Sequence, residues 1–190
     1  KGDLQKAFWL LRTGAGPVVL SIRLNVLTEH VEDGWKYEAI EVPDQRIPPP
    51  AETAEYAAIL LKEAKRPVIL AGKGAVASGA REQIEALAER TGALLATSLQ
   101  ARDYFGAHPF AIGVSGSFAS DAGVKLLPQA DCILALGASL NRFTTEDGDM
   151  FPKAGVIHVD TKRAAIGETT PVRLGIWGDG RASVEAINGY

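Results

Sequence analysis

The 190-residue chain carries 20 Lys and Arg against 23 Asp and Glu, for a formal charge of −3, and 46% of it is hydrophobic. A chain this long buries about 70% of its unfolded surface, enough for a core without disulfides or a structural metal, and its length fits one domain with part of a second. Acidic and basic residues alternate without runs, which excludes a nucleic-acid groove or an anionic membrane surface, while one cysteine, Cys132, and three scattered histidines exclude a disulfide framework and a zinc site.

Residues 4–11 have the spacing of a short helix, and VVLSI at 18–22 reads as a strand after the turn signal Gly14-Ala15-Gly16-Pro17. From Thr28 to Pro50 the chain turns polar and proline-rich. That stretch, 28–50, is expected to be a linker, so that 1–27 belongs to a preceding domain and 51–190 forms the main one. Residues 51–64 place Tyr56, Ile59, Leu60 and Ala64 at helical spacing, and PVILAG (67–72) is a buried strand. Ser78 is the expected N-cap of a helix that turns Ile84, Leu87 and Ala88 inward and stops at Gly92. ALLATS (93–98) follows as a strand, then a long glycine-bearing segment from Leu99 to Gly116, then a helix capped by Ser117 or Ser120 and ending at Leu127-Pro128. CILALG (132–137), VIHVD (156–160) and VRLGIW (172–177) complete the strands, with a short helix near 162–166 and a last helix that buries Val184 and Ile187.

Near-continuous apolar strands alternating with helices predict an α/β fold, an open parallel sheet with helices on both faces, Rossmann-like. Each run stops at a small residue, at Gly72-Lys73-Gly74, Thr97-Ser98, Gly137-Ala138-Ser139, Asp160-Thr161 and Gly178-Asp179. In a parallel sheet those stops share one crevice, where main-chain amides can gather around a phosphate-sized gap. Gly72, Gly74 and Ala77 match a dinucleotide glycine pattern, yet the second strand ends in Thr97-Ser98 and not in the acid that holds a ribose. A tight turn without ligand is the competing reading. Gly113, Gly116 and Ser117 form either a second anion-tolerant turn or plain loop punctuation. Asp160 sits on the crevice and is read first as an acceptor for ribose hydroxyls, the alternative being that Asp160 or Thr161 caps the helix that follows, and Asp179 in WGDG is best read as the N-cap of the last helix. Cys132 reads as an inert buried thiol, and His158 as a core histidine. No catalytic constellation is complete, so the chain alone is expected to be inactive.

The succession GPVVLSI, RPVILAGKGA, HP then GVSGSFAS, ADCILALGASLNRFT, VIHVD and GDGRASVEAI resembles the central domain of thiamine diphosphate-dependent enzymes of the acetolactate synthase and pyruvate oxidase group, from about residue 14 to 190. The resemblance implies that residues 1–27 are the tail of a pyrimidine-binding domain. It also implies that the parent makes or breaks a carbon–carbon bond beside a carbonyl, typically in a 2-oxo acid. Thiamine diphosphate and magnesium would be held by parts of the parent outside this chain. In such domains the sheet holds FAD, ADP or a coenzyme A nucleotide, or serves as a structural spacer. The positions that match those contacts are Gly72, Lys73, Gly74, Thr97, Gly113, Gly137, Ser139, Arg142, Asp160 and Asp179. Flavin-binding relatives commonly carry an arginine where Ser139 stands and Met-His-Gly where Ser117-Phe118-Ala119 stands, and Arg142 is the available substitute for that charge. The alternative is an NAD(P)-binding domain of a dehydrogenase, transhydrogenase or deacetylase. The expected partners are adjacent domains of the parent, in a homodimer or homotetramer, with no nucleic acid and no membrane. The single cysteine leads to the expectation of a reducing, cytoplasmic setting; no apolar stretch approaches the roughly 20 residues that span a bilayer, and the start has no signal-peptide pattern. The first residue, Lys1, is not Met, which fits a piece of a longer protein.

Overall fold

A computed structural model describes residues 2–14, 16–31, 33–43 and 46–190. The chain divides into two compact units, Lys1–Gln45 and Arg46–Tyr190, so the division falls inside the stretch read as a linker. In the first unit, helix α1 (Gly2–Arg12) and the single turn α2 (Leu24–Leu27) are the regular elements among the described residues. Segment 37–40 packs on α1: Phe8 and Tyr37 rings lie 5.1 Å apart, the Gln5 amide donates to Glu38 O and the Arg12 guanidinium to Ile40 O. The predicted strand at 18–22 is not formed, and Val19 is 91% exposed. A strand needs a neighbour for its N–H and C=O groups, and no described residues pair with this one. Ala15, within the expected turn there, lies outside the described residues.

The second unit is built on a six-stranded sheet, β1 (Pro67–Ala71), β2 (Leu94–Thr97), β3 (Ala111–Val114), β4 (Cys132–Leu136), β5 (Gly155–Asp160) and β6 (Leu174–Trp177). Every pairing is parallel and the spatial order is β3-β2-β1-β4-β5-β6. The chain therefore builds outward to β3 and returns to lay β4 beside β1. That reversal makes the β1/β4 boundary the topological switch point, where open sheets of this kind present a crevice.

Strand alternation divides the core in two. Ile69, Ala71, Leu95, Leu134, Leu136, Ile157 and Val159 pack with helices α3 (Ala51–Glu63), α5 (Arg81–Thr91) and α8 (Gly180–Asn188). Val68, Leu70, Ala96, Ile133 and Ala135 pack on the other face against Leu127, Leu140, Met150 and Phe151. Helix α3 turns Ala54, Ala57, Leu60 and Leu61 inward, a spacing of three and four residues that makes one stripe. The left-handed Gly92, at φ 71°, ends α5 as its position predicts, and the Ser120 hydroxyl accepts from Gly123 N–H as the cap of α6 (Asp121–Leu126).

Two elements differ from expectation. Residues 73–78 form a short helix, α4 (Lys73–Ser78), and Ser78 is its last residue, its hydroxyl donating back to Ala75 O. Ala80, without a side-chain cap, precedes α5. Strand β3 lies within the segment expected to be irregular. Its ladder slips between Leu95 and Ala96, which pair with Ala111 and Gly113, so Ile112 is the extra residue of a bulge and Gly113 takes φ +85° inside the strand.

Candidate functional site

Because all six strands run in parallel, their carboxyl ends lie on one rim, which brings Gly72, Thr97, Gly137, Asp160 and Asp179 to the same edge. The ladder continues one residue past five of the six strands, all but β5. Ser115 N–H donates to Thr97 O at 2.8 Å, Ser98 N–H to Ala71 O at 2.9 Å, Gly72 N–H to Leu136 O at 2.9 Å, Gly137 N–H to Val159 O at 2.8 Å and Gly178 N–H to Asp160 O at 3.1 Å. The strand-end amides are thus engaged by neighbouring strands.

At the switch point the two glycine turns touch backbone to backbone. Gly74 N–H donates to Gly137 O at 3.0 Å, and a Cβ built on Gly74 would stand 2.7 Å from Gly137 Cα. A Cβ on Gly72 would stand 2.5 Å from Ala138 Cα, and Gly137 itself has φ +55°. Contacts under 3.0 Å are not seen for real Cβ atoms, so these positions need glycine for close approach. The Lys73 and Ser139 side chains are exposed beside the contact.

The loop after β3 reaches the loop after β4. A Cβ on Gly116 would lie within van der Waals distance of the Phe143 carbonyl, Ser117 N–H donates to that carbonyl at 3.1 Å, and the Ser115 hydroxyl to Thr144 O at 2.8 Å. The Ser117 hydroxyl also bonds the Glu146 carboxylate. Helix α7 (Arg142–Thr145) is capped by Asn141, which accepts from Thr144 N–H. Leu140, buried at φ +47°, is held by the Thr169 and Thr170 hydroxyls, which donate to its carbonyl at 2.8 and 2.9 Å. Sequence reasoning missed these hydroxyl clamps. Their partners lie about 30 residues apart, and no local pattern announces such a contact.

Of the charged candidates, Asp160, Asp179 and Arg142 are also engaged, while Lys73 is exposed. The Asp160 carboxylate accepts from Lys162 N–H at 2.7 Å in a local turn, and the helical turn at 163–165 starts after Lys162 without a cap from Asp160 or Thr161. Asp179 accepts from Ala182 N–H at 2.9 Å, the N-cap of α8. Arg142 pairs with Asp147 at 3.3 Å, both side chains largely exposed. Gly113 stands inside the bulged edge strand and not at a strand end. Below the rim, the His158 Nε2 lies 2.9 Å from Ala138 O, its Nδ1 is buried without a partner, and burial lowers its pKa. Burial also pushes the Cys132 thiol up to about 11, with Asp131 adding to the effect, which keeps it protonated and unreactive. Among the described residues no group of three or more His, Cys, Asp or Glu can hold a metal, and no helix is long and apolar enough to cross a membrane.

The family described as "Thiamine pyrophosphate enzyme, central domain" matches residues 54–187, most of the chain and nearly the whole sheet unit. The chain belongs to this family. As a thiamine pyrophosphate enzyme central domain, it is 40% identical over 171 residues to a sulfoacetaldehyde acetyltransferase of Roseovarius nubinhibens, covering 87% of this chain and 28% of that protein. It is 42% identical over 189 residues to the sulfoacetaldehyde acetyltransferase of Castellaniella defragrans, covering 96% and 31%. It is 34% identical over 183 residues to the acetolactate synthase large subunit of Corynebacterium glutamicum, covering 94% and 29%. The chain therefore spans under a third of the length of these relatives. Thiamine diphosphate and a metal do not fit the residues present: the aspartate of WGDG is the cap of α8 and no described cluster offers a metal seat. The NAD(P)-binding alternative gains no support from these comparisons.

Proposed function

We propose that this chain is the middle, non-catalytic module of a thiamine diphosphate enzyme that breaks or makes a bond beside a carbonyl: the carbon–carbon bond of a 2-oxo acid, or the carbon–sulfur bond of sulfoacetaldehyde, from which sulfite leaves and the two-carbon acetyl group passes to an acceptor. The observation that carries this reading is the commitment of the rim. Asp160 holds a turn, Asp179 caps α8 and Arg142 is paired with Asp147, so these three rim candidates are committed to local structure within an otherwise complete family sheet. Thiamine diphosphate and magnesium then belong to the rest of the parent. The higher identity to the sulfoacetaldehyde acetyltransferases makes sulfoacetaldehyde the first substrate to try.

Adjacent modules of the parent, in a homodimer or homotetramer in the cytoplasm, are the partners in this reading. Phe118 and Phe143, 62% and 67% exposed on the joined loops of the rim, support it as apolar ground for a neighbouring module. The test is turnover by the full-length parent with and without added thiamine diphosphate and magnesium, on sulfoacetaldehyde with inorganic phosphate supplied as acetyl acceptor and sulfite release as the readout, and on pyruvate. Activity on one of them that needs thiamine diphosphate, with none from this chain alone, is the expected result. Turnover that is indifferent to thiamine diphosphate, or that reduces NAD(P), would overturn the reading.

A further inference from the structure

We infer that the carboxyl rim is sealed by its own backbone and seats no flavin or nucleotide diphosphate at the switch point, and that the glycine turn resembling a dinucleotide fingerprint is a clasp between the two halves of the sheet. A diphosphate at such a turn is held by main-chain amides free to point at it. Here the Gly72 and Gly74 amides donate to Leu136 O and Gly137 O, and those of Ser98, Ser115, Gly137 and Gly178 donate to adjacent strands. The volume that the missing side chains of Gly72 and Gly74 leave is filled by the Gly137-Ala138 backbone and is not open to a ligand.

The side chains agree. The Asp160 carboxylate, which would take a ribose, accepts from Lys162 N–H, and Arg142, which would face a phosphate, pairs with Asp147. Thr97 Oγ1 is buried at the rim with no partner, and a single hydroxyl does not make a diphosphate seat. The inference stands apart from the thiamine reading, because a thiamine enzyme can have a middle module with or without a nucleotide. Failure of one test leaves the other intact.

The experiment is calorimetric titration and thermal shift of the purified chain with FAD, ADP and coenzyme A, on the wild type, Lys73→Ala and Gly74→Ala. The sealed rim predicts colourless protein, no saturable heat and no rise in Tm with any of the three. It also predicts that Gly74→Ala lowers Tm by at least ~5 °C without ligand, while Lys73→Ala, an exposed side chain on the same turn, melts as the wild type does. Saturable one-to-one binding that Lys73→Ala weakens tenfold or more would overturn the inference, as would a Gly74→Ala protein that melts at the wild-type temperature. Should Gly74→Ala fail to fold, the titrations of the wild type and Lys73→Ala still decide the matter.

Discussion

His158 shows how a polar residue is tolerated in the middle of this sheet. It is 1% exposed, and its Nε2–H donates to Ala138 O, which leaves Nδ1 as a buried lone pair. Protonation would put a second N–H where no acceptor waits, so burial lowers the pKa, and the Asp160 carboxylate and the Ala138 carbonyl offset that only in part. With the folded pKa below the unfolded value of ~6.5, the unfolded chain takes up the proton first. Stability linked to His158 is therefore full above about pH 6.5 and declines below it. His158→Gln can keep a donor for Ala138 and removes the titration. Its Tm should fall less than that of the wild type between about pH 7.5 and 5.5. Equal falls in the two proteins would mean that His158 does not contribute to the pH dependence.

At the scale of elements, a cap accounts for Asp179 and a close approach of backbones for Gly72, Gly74 and Gly137. Asp179 caps α8, and replacing such a cap with Ala costs about 1 kcal/mol. Asp179→Ala should lower stability by that amount in a denaturant titration, and Asp179→Asn, which also accepts, should restore most of it. An Asn variant as unstable as the Ala variant would point to a role for the negative charge itself. The same scale shows what was legible in the sequence. The fully buried runs PVILA and CILAL could be read directly as β1 and β4, as could α8. Helix α3 was legible as a helix, but of Tyr56, Ile59, Leu60 and Ala64, whose spacing marks it, Tyr56 and Ile59 are exposed, and the face that packs is Ala54, Ala57, Leu60 and Leu61. Strand β3 could not, because AIGV is short, is bulged at Gly113 and lies on the edge. VVLSI has strand composition, but strand formation depends on a partner that local sequence does not supply. Positions of the site were legible as small strand ends. Their use was not, since the Gly72 to Gly137 contact joins residues that only the sheet order brings together.

At the scale of the whole molecule, both buried clusters lie within 46–190. A chain starting at Arg46 should therefore fold by itself and melt within a few degrees of the full chain, which differential scanning calorimetry would check. Loss of cooperative melting would show that the first unit is needed for the sheet to form. The sheet's carboxyl edge carries the larger claim, that a rim with the look of a nucleotide site is a continuous backbone seam. Amide hydrogen exchange of the native chain, followed by NMR, tests it most directly. Protection at Ser98, Gly72, Gly74 and Gly137 comparable to that inside β1 and β4 is the predicted result, because each of these amides is bonded to a neighbouring strand or turn. Exchange at those four amides as fast as in exposed loops would contradict the account and reopen the rim to a ligand.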